Sequence, residues 1–126
     1  MGIPVKRQLL KSNLRSKRRG YYAKYIKPKQ TKTLTDVLLF SQKGSTLDYR
    51  EAEAAFKMSI DGIIEFLQQG FPINIDDLGT FTPKVSSPMV DDPDDLNQKN
   101  IKIDISFTPS EKIMEALLSA GIEFKN

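Results

Sequence analysis

The residues best suited to chemistry in this sequence are its Lys and Arg side chains, because it contains no cysteine and no histidine. Thiolate nucleophiles, imidazole bases, disulfides and zinc fingers therefore lack their usual groups. We expect a non-enzymatic protein with no catalytic residue, no metal and no cofactor. Eleven Lys and Arg lie in the first 32 residues, which contain no acidic residue: Lys6, Arg7, Lys11, Arg15, Lys17, Arg18, Arg19, Lys24, Lys27, Lys29 and Lys32.

This basic leader, residues 1–32, suits a polyanion such as nucleic acid, because each Lys or Arg placed on a phosphate releases condensed counterions. The rest of the chain contains 8 basic and 16 acidic residues, so a leader that folds back on the acidic body is an alternative. Tyr21, Tyr22 and Tyr25 indicate that part of the leader packs on the body, since disordered tails are usually poor in aromatics. Stacking on bases is a second interpretation of these tyrosines.

Two groups of carboxylates could also do chemistry, but turns explain both. The stretch Asp91-Asp92-Pro93-Asp94-Asp95 lacks the alternating ligand spacing, the turn glycine and the distal Glu of a calcium loop. Asp76 and Asp77 are adjacent, in a place where Asp is favoured because it bonds its own backbone. We therefore expect solvated turns rather than a metal site or a catalytic pair.

The elements that position these residues begin with two helices. A short helix is predicted over residues 34–43, which Gly44 can end. A longer helix begins after Asp48, where Glu51 can complete a capping box, and its wide apolar stripe ends at Gly70. Residues of the stripe and of the later strands form the predicted core and dimer contacts: Phe56, Ile60, Ile63, Ile64, Leu67, Leu78, Phe81 and Phe107.

Three strands are predicted to follow, over residues 71–75, 80–85 and 101–107, because apolar and polar residues alternate there. The stretch between the last two strands is too polar for a core. It is predicted to form a connection or projecting arm at about residues 84–101.

A last helix is predicted after these strands, with Thr108 as its cap, Pro109 at its first position and Glu111 as the reciprocal partner. One core is expected for a chain of 126 residues. No apolar run approaches the ~18 residues that a membrane span requires, so we expect a cytoplasmic protein.

This order of elements resembles the HU/IHF family of bacterial histone-like DNA-binding proteins over roughly residues 33–118. The resemblance is carried by Asp48-x-x-Glu51-Ala52-Glu53, Gly70, Leu78-Gly79-Thr80-Phe81 and Phe107-Thr108-Pro109. The leader and the acidic arm are typical of a divergent branch with a basic N-terminal extension. We therefore divide the chain into an extension, residues 1–32, which is partly ordered, and an HU/IHF-like domain, residues 33–126.

The resemblance implies an α+β fold: two N-terminal helices, a three-stranded antiparallel sheet with a β-arm, and a C-terminal helix. It also implies an intertwined homodimer whose arms embrace DNA from the minor groove, with an apolar wedge near each arm tip. Pro88 is the candidate wedge. The broad stripe of the long helix independently favours association, because one copy has more apolar surface than it can readily cover.

The arm departs from the family, because four aspartates stand where the prototypes have a basic stretch. Lys84, Lys99 and Lys102 are its candidate DNA contacts, and the aspartates are Asp91, Asp92, Asp94 and Asp95. Carboxylates beside phosphates are repelled. We therefore expect the leader to make most phosphate contacts.

The function that these features predict is DNA binding that is largely independent of sequence. The protein would be an architectural, nucleoid-associated protein of the bacterial nucleoid that contributes to DNA condensation, with double-stranded DNA and a second copy as its partners. Two alternatives stay open. One is a dimeric protein-interaction module that keeps the fold but has lost DNA binding, and the other is an RNA-binding protein.

Overall fold

The structure is a computed structural model that describes residues 2–125 except residues 12–18, and it does not describe the side chains of Lys11 and Arg19. Helices and strands follow one another as β1 (Ile3–Lys11), β2 (Arg19–Tyr25), α1 (Leu34–Ser41), α2 (Tyr49–Gln68), β3 (Ile73–Ile75), β4 (Gly79–Ser86), β5 (Lys102–Pro109), α3 (Glu111–Ala120) and β6 (Ile122–Phe124). A short 3₁₀ turn, Pro93–Asp95, interrupts the β4–β5 connection. The α+β class is confirmed.

The chain divides into two compact units. The hairpin unit comprises residues 1–31 and 114–126, and the body unit comprises residues 32–113. The sequence analysis expected one core. Residues 114–126 join the basic leader in the hairpin unit, because residues distant in sequence meet there by strand pairing.

Both α1 and α2 begin where the sequence predicts, but the capping box predicted for α2 forms at α1 instead. At α1, the Thr33 hydroxyl accepts a hydrogen bond from the Asp36 N–H, and the Asp36 carboxylate accepts one from the Thr33 N–H at 3.0 Å. That backbone hydrogen bond holds the pKa of Asp36 below its ordinary value. At α2, Asp48 caps Arg50 N–H at 3.3 Å. Within the described residues, Glu51 makes no reciprocal bond, so the box predicted there is wrong.

The body sheet has the strand order β3-β4-β5 and is antiparallel throughout. The predicted alternation is confirmed, because Phe81, Pro83 and Val85 lie opposite Phe107, Ile105 and Ile103 on one face. Thr80, Thr82 and Lys84 pair with polar residues on the other face. The Phe81 and Phe107 rings lie 4.8 Å apart between centroids.

The last helix begins two residues later than the sequence predicts. Pro109 belongs to β5, where it lies opposite Gly79, and α3 begins at Glu111. Ser110 caps the helix, because its hydroxyl accepts a hydrogen bond from Ile113 N–H at 3.2 Å. The Ser110 hydroxyl also donates to the Asp77 carbonyl at 2.8 Å. The assignment of Thr108 as cap is wrong because strand pairing extends through Pro109.

Apolar burial is sparse in both units. Val5 is the one buried large hydrophobic among the described residues, with 6% of its surface exposed. The predicted core residues Phe56, Ile60, Ile64 and Phe107 are exposed. Ile63, Leu67, Leu78 and Phe81 are half-buried. Within the described part of the chain, no helix is long and apolar enough to cross a membrane.

We expect Gly79→Ala to destabilise the body strongly. Gly79 is buried, has a φ of 147° and lies so close to the Thr108 carbonyl and the Phe107 ring that a methyl group has no room. The backbone conformation alone costs about 1–3 kcal/mol for a residue other than glycine. Urea unfolding followed by circular dichroism measures the effect.

Gly20→Ala is the matched control, because Gly20 lies in β2 with open space where the methyl group would lie. The control should change the free energy of unfolding by less than ~1 kcal/mol. Equal stability of the two variants would contradict the close approach at Gly79.

Candidate nucleic-acid interface

The basic leader folds into a β-hairpin, which the sequence analysis did not predict. β1 and β2 pair antiparallel, with Val5 opposite Tyr25 and Lys11 opposite Arg19. The signal was present in the β-branched and aromatic residues among the charges, such as Ile3, Val5 and Tyr21. The density of Lys and Arg obscured it, because such charge runs are more typical of disordered tails.

The C-terminal strand β6 completes this sheet, with the order β2-β1-β6. It runs parallel to β1, with Ile3 opposite Ile122 and Val5 opposite Phe124. Backbone bonds flank the pairing, because Ile3 N–H donates to the Gly121 carbonyl at 2.9 Å and Lys125 N–H donates to the Val5 carbonyl at 3.0 Å. The sequence analysis did not predict this strand, Ile122–Phe124.

One side chain of the hairpin links its charge to this added strand. The Arg7 guanidinium carbon lies 3.8 Å from the centre of the Phe124 ring, which is a cation–π contact. Val5, Arg7 and Phe124 share one face of the sheet, because they occupy alternating or directly paired positions. The C-terminus therefore supports the basic leader directly.

The predicted phosphate contacts of the leader fall into four groups. Lys6, Arg7 and Lys24 lie on the paired strands, and Lys27, Lys29 and Lys32 lie on the segment between β2 and α1. Lys11 and Arg19 close the ladder, with side chains outside the described residues. Arg15, Lys17 and Arg18 lie outside the described residues altogether.

The division into units separates the charge. The sequence of the hairpin unit contains eleven basic and two acidic residues, a net charge of +9. The body unit contains eight basic and fourteen acidic residues, a net charge of −6. The hairpin unit is therefore the strongly cationic part of the chain.

The predicted arm is a β-ladder closed by a polar tip. β4 and β5 pair as far as Ser86 opposite Lys102. Lys84 Nζ lies 4.0 Å from a carboxylate oxygen of Asp104, so its charge is partly offset. Lys99 and Lys102 are exposed. Lys84 and Lys102 line one groove together with Asp104, so the arm brings these two predicted contacts together beside an acidic residue.

The tip is folded on itself by side-chain hydrogen bonds. Asp92 caps Asp94 N–H at 3.0 Å, and the Asn100 amide donates to the Asp95 carbonyl at 2.8 Å. Asp91, Asp92, Asp94 and Asp95 are all exposed. Pro88, the predicted wedge, is exposed and lies outside the ladder. The neighbouring Met89 is a completely exposed apolar side chain, at 101% of its reference surface, and sequence analysis did not single it out.

The body unit combines helices with a three-stranded antiparallel sheet, which is an α+β fold. Comparison with known proteins gives the family. Residues 5–125 match the model of the HU-HIG family, described as an HU domain fused to wHTH, Ig, or glycine-rich motif. The chain belongs to this family. A search of curated proteins found no match.

A solved structure shows the same fold. It is a crystal structure from Bacteroides vulgatus ATCC 8482, provisionally described as a bacterial DNA-binding protein. The two chains superpose with a TM-score of 0.69 at 12% sequence identity, over 98% of this chain. This chain spans about half of that one, covering 48% of its length. The family match and this structural likeness together support an HU-like fold.

We expect removal of residues 122–126 to release the hairpin. The deletion removes β6 and leaves β1 without its parallel partner. Backbone hydrogen bonds contribute about 1 kcal/mol each. A net loss of about 1–2 kcal/mol should raise the fraction of molecules with an open hairpin roughly five- to thirtyfold. Trypsin cleavage at Lys6, Arg7 and Lys24, followed by mass spectrometry, reports that opening.

Lys125→Gln is the control for this deletion. It removes the 3.0 Å ion pair with Glu123 but keeps the backbone of the strand. Cleavage of the control should match that of the wild type. An unchanged cleavage rate in the deletion variant would show that β6 does not hold the leader.

Proposed function

We propose that the protein is a homodimeric, architectural DNA-binding protein that binds duplex DNA largely without sequence preference. The observation that carries the proposal is the net charge of +9 in the hairpin unit, whereas the body unit has a net charge of −6. The solved neighbour is described as a DNA-binding protein, which supports the same partner. Phosphate contacts carry no sequence information directly. Binding through the lysines and arginines of the leader therefore favours nonspecific, nucleoid-associated binding and DNA condensation.

Exposed apolar side chains support the homodimer. Phe56, Ile60 and Ile64 lie on α2 with 47%, 36% and 47% of their surface exposed. Ile64 also lines an apolar groove of about 430 Å³ between α2 and the arm strands. Monomeric proteins rarely expose contiguous apolar patches of this kind. A second copy of the same chain, intertwined as in HU-like proteins, would cover them.

In this proposal the leader, rather than the arm, makes most of the contacts with DNA. Lys24, Lys27 and Lys29 are exposed, and within the described residues none of them makes an ion pair. The arm tip places four exposed carboxylates close to Lys99, where phosphates would be repelled. Insertion of Pro88 as a wedge is therefore a minor part of the proposed mechanism.

A protein-interaction module is the second candidate, and the arm surface favours it. Val85, Met89 and Ile103 are exposed to 70%, 101% and 83% beside the acidic tip. An apolar and acidic arm suits a protein partner better than a nucleic acid. Measurement of duplex binding by the wild type and by variants with neutralised lysines separates this candidate from DNA binding.

We expect the protein to be a dimer at micromolar concentration. Ile64→Glu should disrupt it, because an unpaired carboxylate in an apolar interface costs several kcal/mol. Light scattering gives the mass, and the melting temperature of the wild type should rise with concentration. Ala54→Glu adds the same charge at an exposed position of α2 outside the stripe, and should leave the dimer intact.

A clean monomer mass at tens of micromolar, with a concentration-independent melting temperature, would contradict the dimer. Equal effects of Ile64→Glu and Ala54→Glu would contradict the role of the stripe.

We expect neutralisation of the leader to weaken duplex binding more than neutralisation of the arm. The triple variant Lys24→Gln, Lys27→Gln, Lys29→Gln removes three cations without deleting any strand. It should lower affinity for all duplex sequences and flatten the plot of log affinity against log salt by up to ~0.9 per lost contact. Electrophoretic shifts over a salt series measure both quantities.

The matched control neutralises three lysines of the arm, by Lys84→Gln, Lys99→Gln and Lys102→Gln. It should change affinity and slope less than the leader variant does. A larger loss of duplex affinity in the arm variant would contradict the proposal that the leader makes most of the DNA contacts. If the wild type binds no duplex at low salt, the result would favour the protein-interaction module.

A further inference from the structure

The two faces of the N-terminal hairpin have different chemistry. Residues directly opposite each other in an antiparallel ladder share a face, and alternate residues along a strand do too. One face therefore carries Val5, Arg7, Leu9, Tyr21 and Tyr25. The other face carries Lys6, Gln8, Tyr22 and Lys24, with Gly20 and Leu10 next along it. We call this second set the Tyr22 face.

The Tyr22 face places two lysines opposite each other. Lys6 pairs with Lys24 in the ladder, which brings their Cβ atoms to about 5 Å and makes their charges repel. Within the described residues, neither lysine makes an ion pair. The paired lysines therefore lack a counter-charge and form a suitable place for a phosphate.

The carboxylate next to this pair is already engaged. Glu123 lies beside Pro4 in the parallel ladder, on the same face as Lys6. Its carboxylate accepts a hydrogen bond from Lys125 Nζ at 3.0 Å, and this bond lowers the pKa of Glu123. Since Lys125 neutralises Glu123, the charge of the lysine pair remains uncompensated.

An exposed aromatic ring completes the face. Tyr22 lies opposite Gln8 and two residues from Lys24, about 7 Å along the strand. Its side chain is 45% exposed. At the neighbouring Gly20, no atom of the described residues other than its two chain neighbours lies within 4 Å of the place where a side chain would begin. A flat ring can therefore be approached from outside the sheet.

We propose that the Tyr22 face binds single-stranded nucleic acid, with Lys6 and Lys24 on the phosphates and Tyr22 stacked on a base. This inference rests on the proposed function, in which the hairpin unit binds the polyanion. Sheet surfaces that combine lysines with exposed aromatics suit single strands, whose bases are free to stack. A duplex offers this face its phosphates only, because its bases are already paired and stacked.

The test compares full-length variants on labelled single strands and a duplex of about 20 nucleotides, the length of a few typical binding sites. Tyr22→Ala should weaken binding to oligo-dT roughly five- to 150-fold, since a base–aromatic stack contributes that much affinity. Tyr22→Phe should keep the affinity for oligo-dT, and Tyr22→Ala should keep the affinity for duplex. The chain contains no tryptophan, so quenching of tyrosine emission by oligo-dT should be smaller in Tyr22→Phe than in the wild type.

Tyr21→Ala is the matched control, because Tyr21 is the adjacent residue of β2, is 74% exposed and lies on the opposite face. It should leave oligo-dT binding unchanged. The double variant Lys6→Gln, Lys24→Gln should flatten the salt dependence for oligo-dT by about 0.7 per lost contact. Oligo-rU, measured in parallel, shows whether the face takes DNA, RNA or both.

Several outcomes would overturn the inference. One is an equal loss from Tyr21→Ala and Tyr22→Ala, and another is an equal loss on duplex and oligo-dT. If the wild type binds duplex but no single strand, the inference fails and the proposed function stands. If it binds neither, both fail.

Discussion

The structure depends on one constraint, which is that a single chain buries very little of its apolar surface. Val5 alone among the described large hydrophobics is buried. The long helix α2 contributes a wide stripe whose residues stay at least a third exposed at Phe56, Ile60 and Ile64. Since hydrophobic burial is the dominant favourable term in folding, such a chain gains much of its stability only when something covers the stripe. This is the physical basis for proposing that two copies fold together.

Strand pairing at β1 accounts for the second main feature. β1 pairs antiparallel with β2 and parallel with β6, so the most basic residues and the C-terminus share one sheet. Ordered strands hold lysines at defined spacings, which a flexible tail cannot do. The hairpin therefore distinguishes two faces, and only one of them places Lys6 opposite Lys24 beside Tyr22. The arm, by contrast, combines an apolar face with an acidic tip, which is why its proposed share of DNA binding is small.

The sequence predicted most of the body because its signals are local. The stripe and Gly70 defined α2, the alternation at Phe81 and Phe107 defined the sheet, and Asp76 and Asp77 form the predicted turn. Errors occurred where two local rules competed. Thr108 and Pro109 match a helix start, but they continue β5 because pairing with Thr80 and Gly79 satisfies their backbone. The capping box at Thr33 was missed because its partner is Asp36, whereas the usual partner is Glu or Gln.

The sequence by itself determined the charge asymmetry, the absence of thiol and imidazole chemistry, the α+β class and the resemblance to HU-like proteins. These follow from composition and from periods of two and 3.6 residues, which neighbouring residues define. Only the tertiary structure decided that the leader is a hairpin, that β6 completes its sheet and that Lys6 and Lys24 face each other. Those features arise from pairing between residues up to about 120 positions apart, as with Ile3 and Ile122. The register of such a pairing leaves no periodic trace in either segment, because it is chosen by the fit of one strand against another.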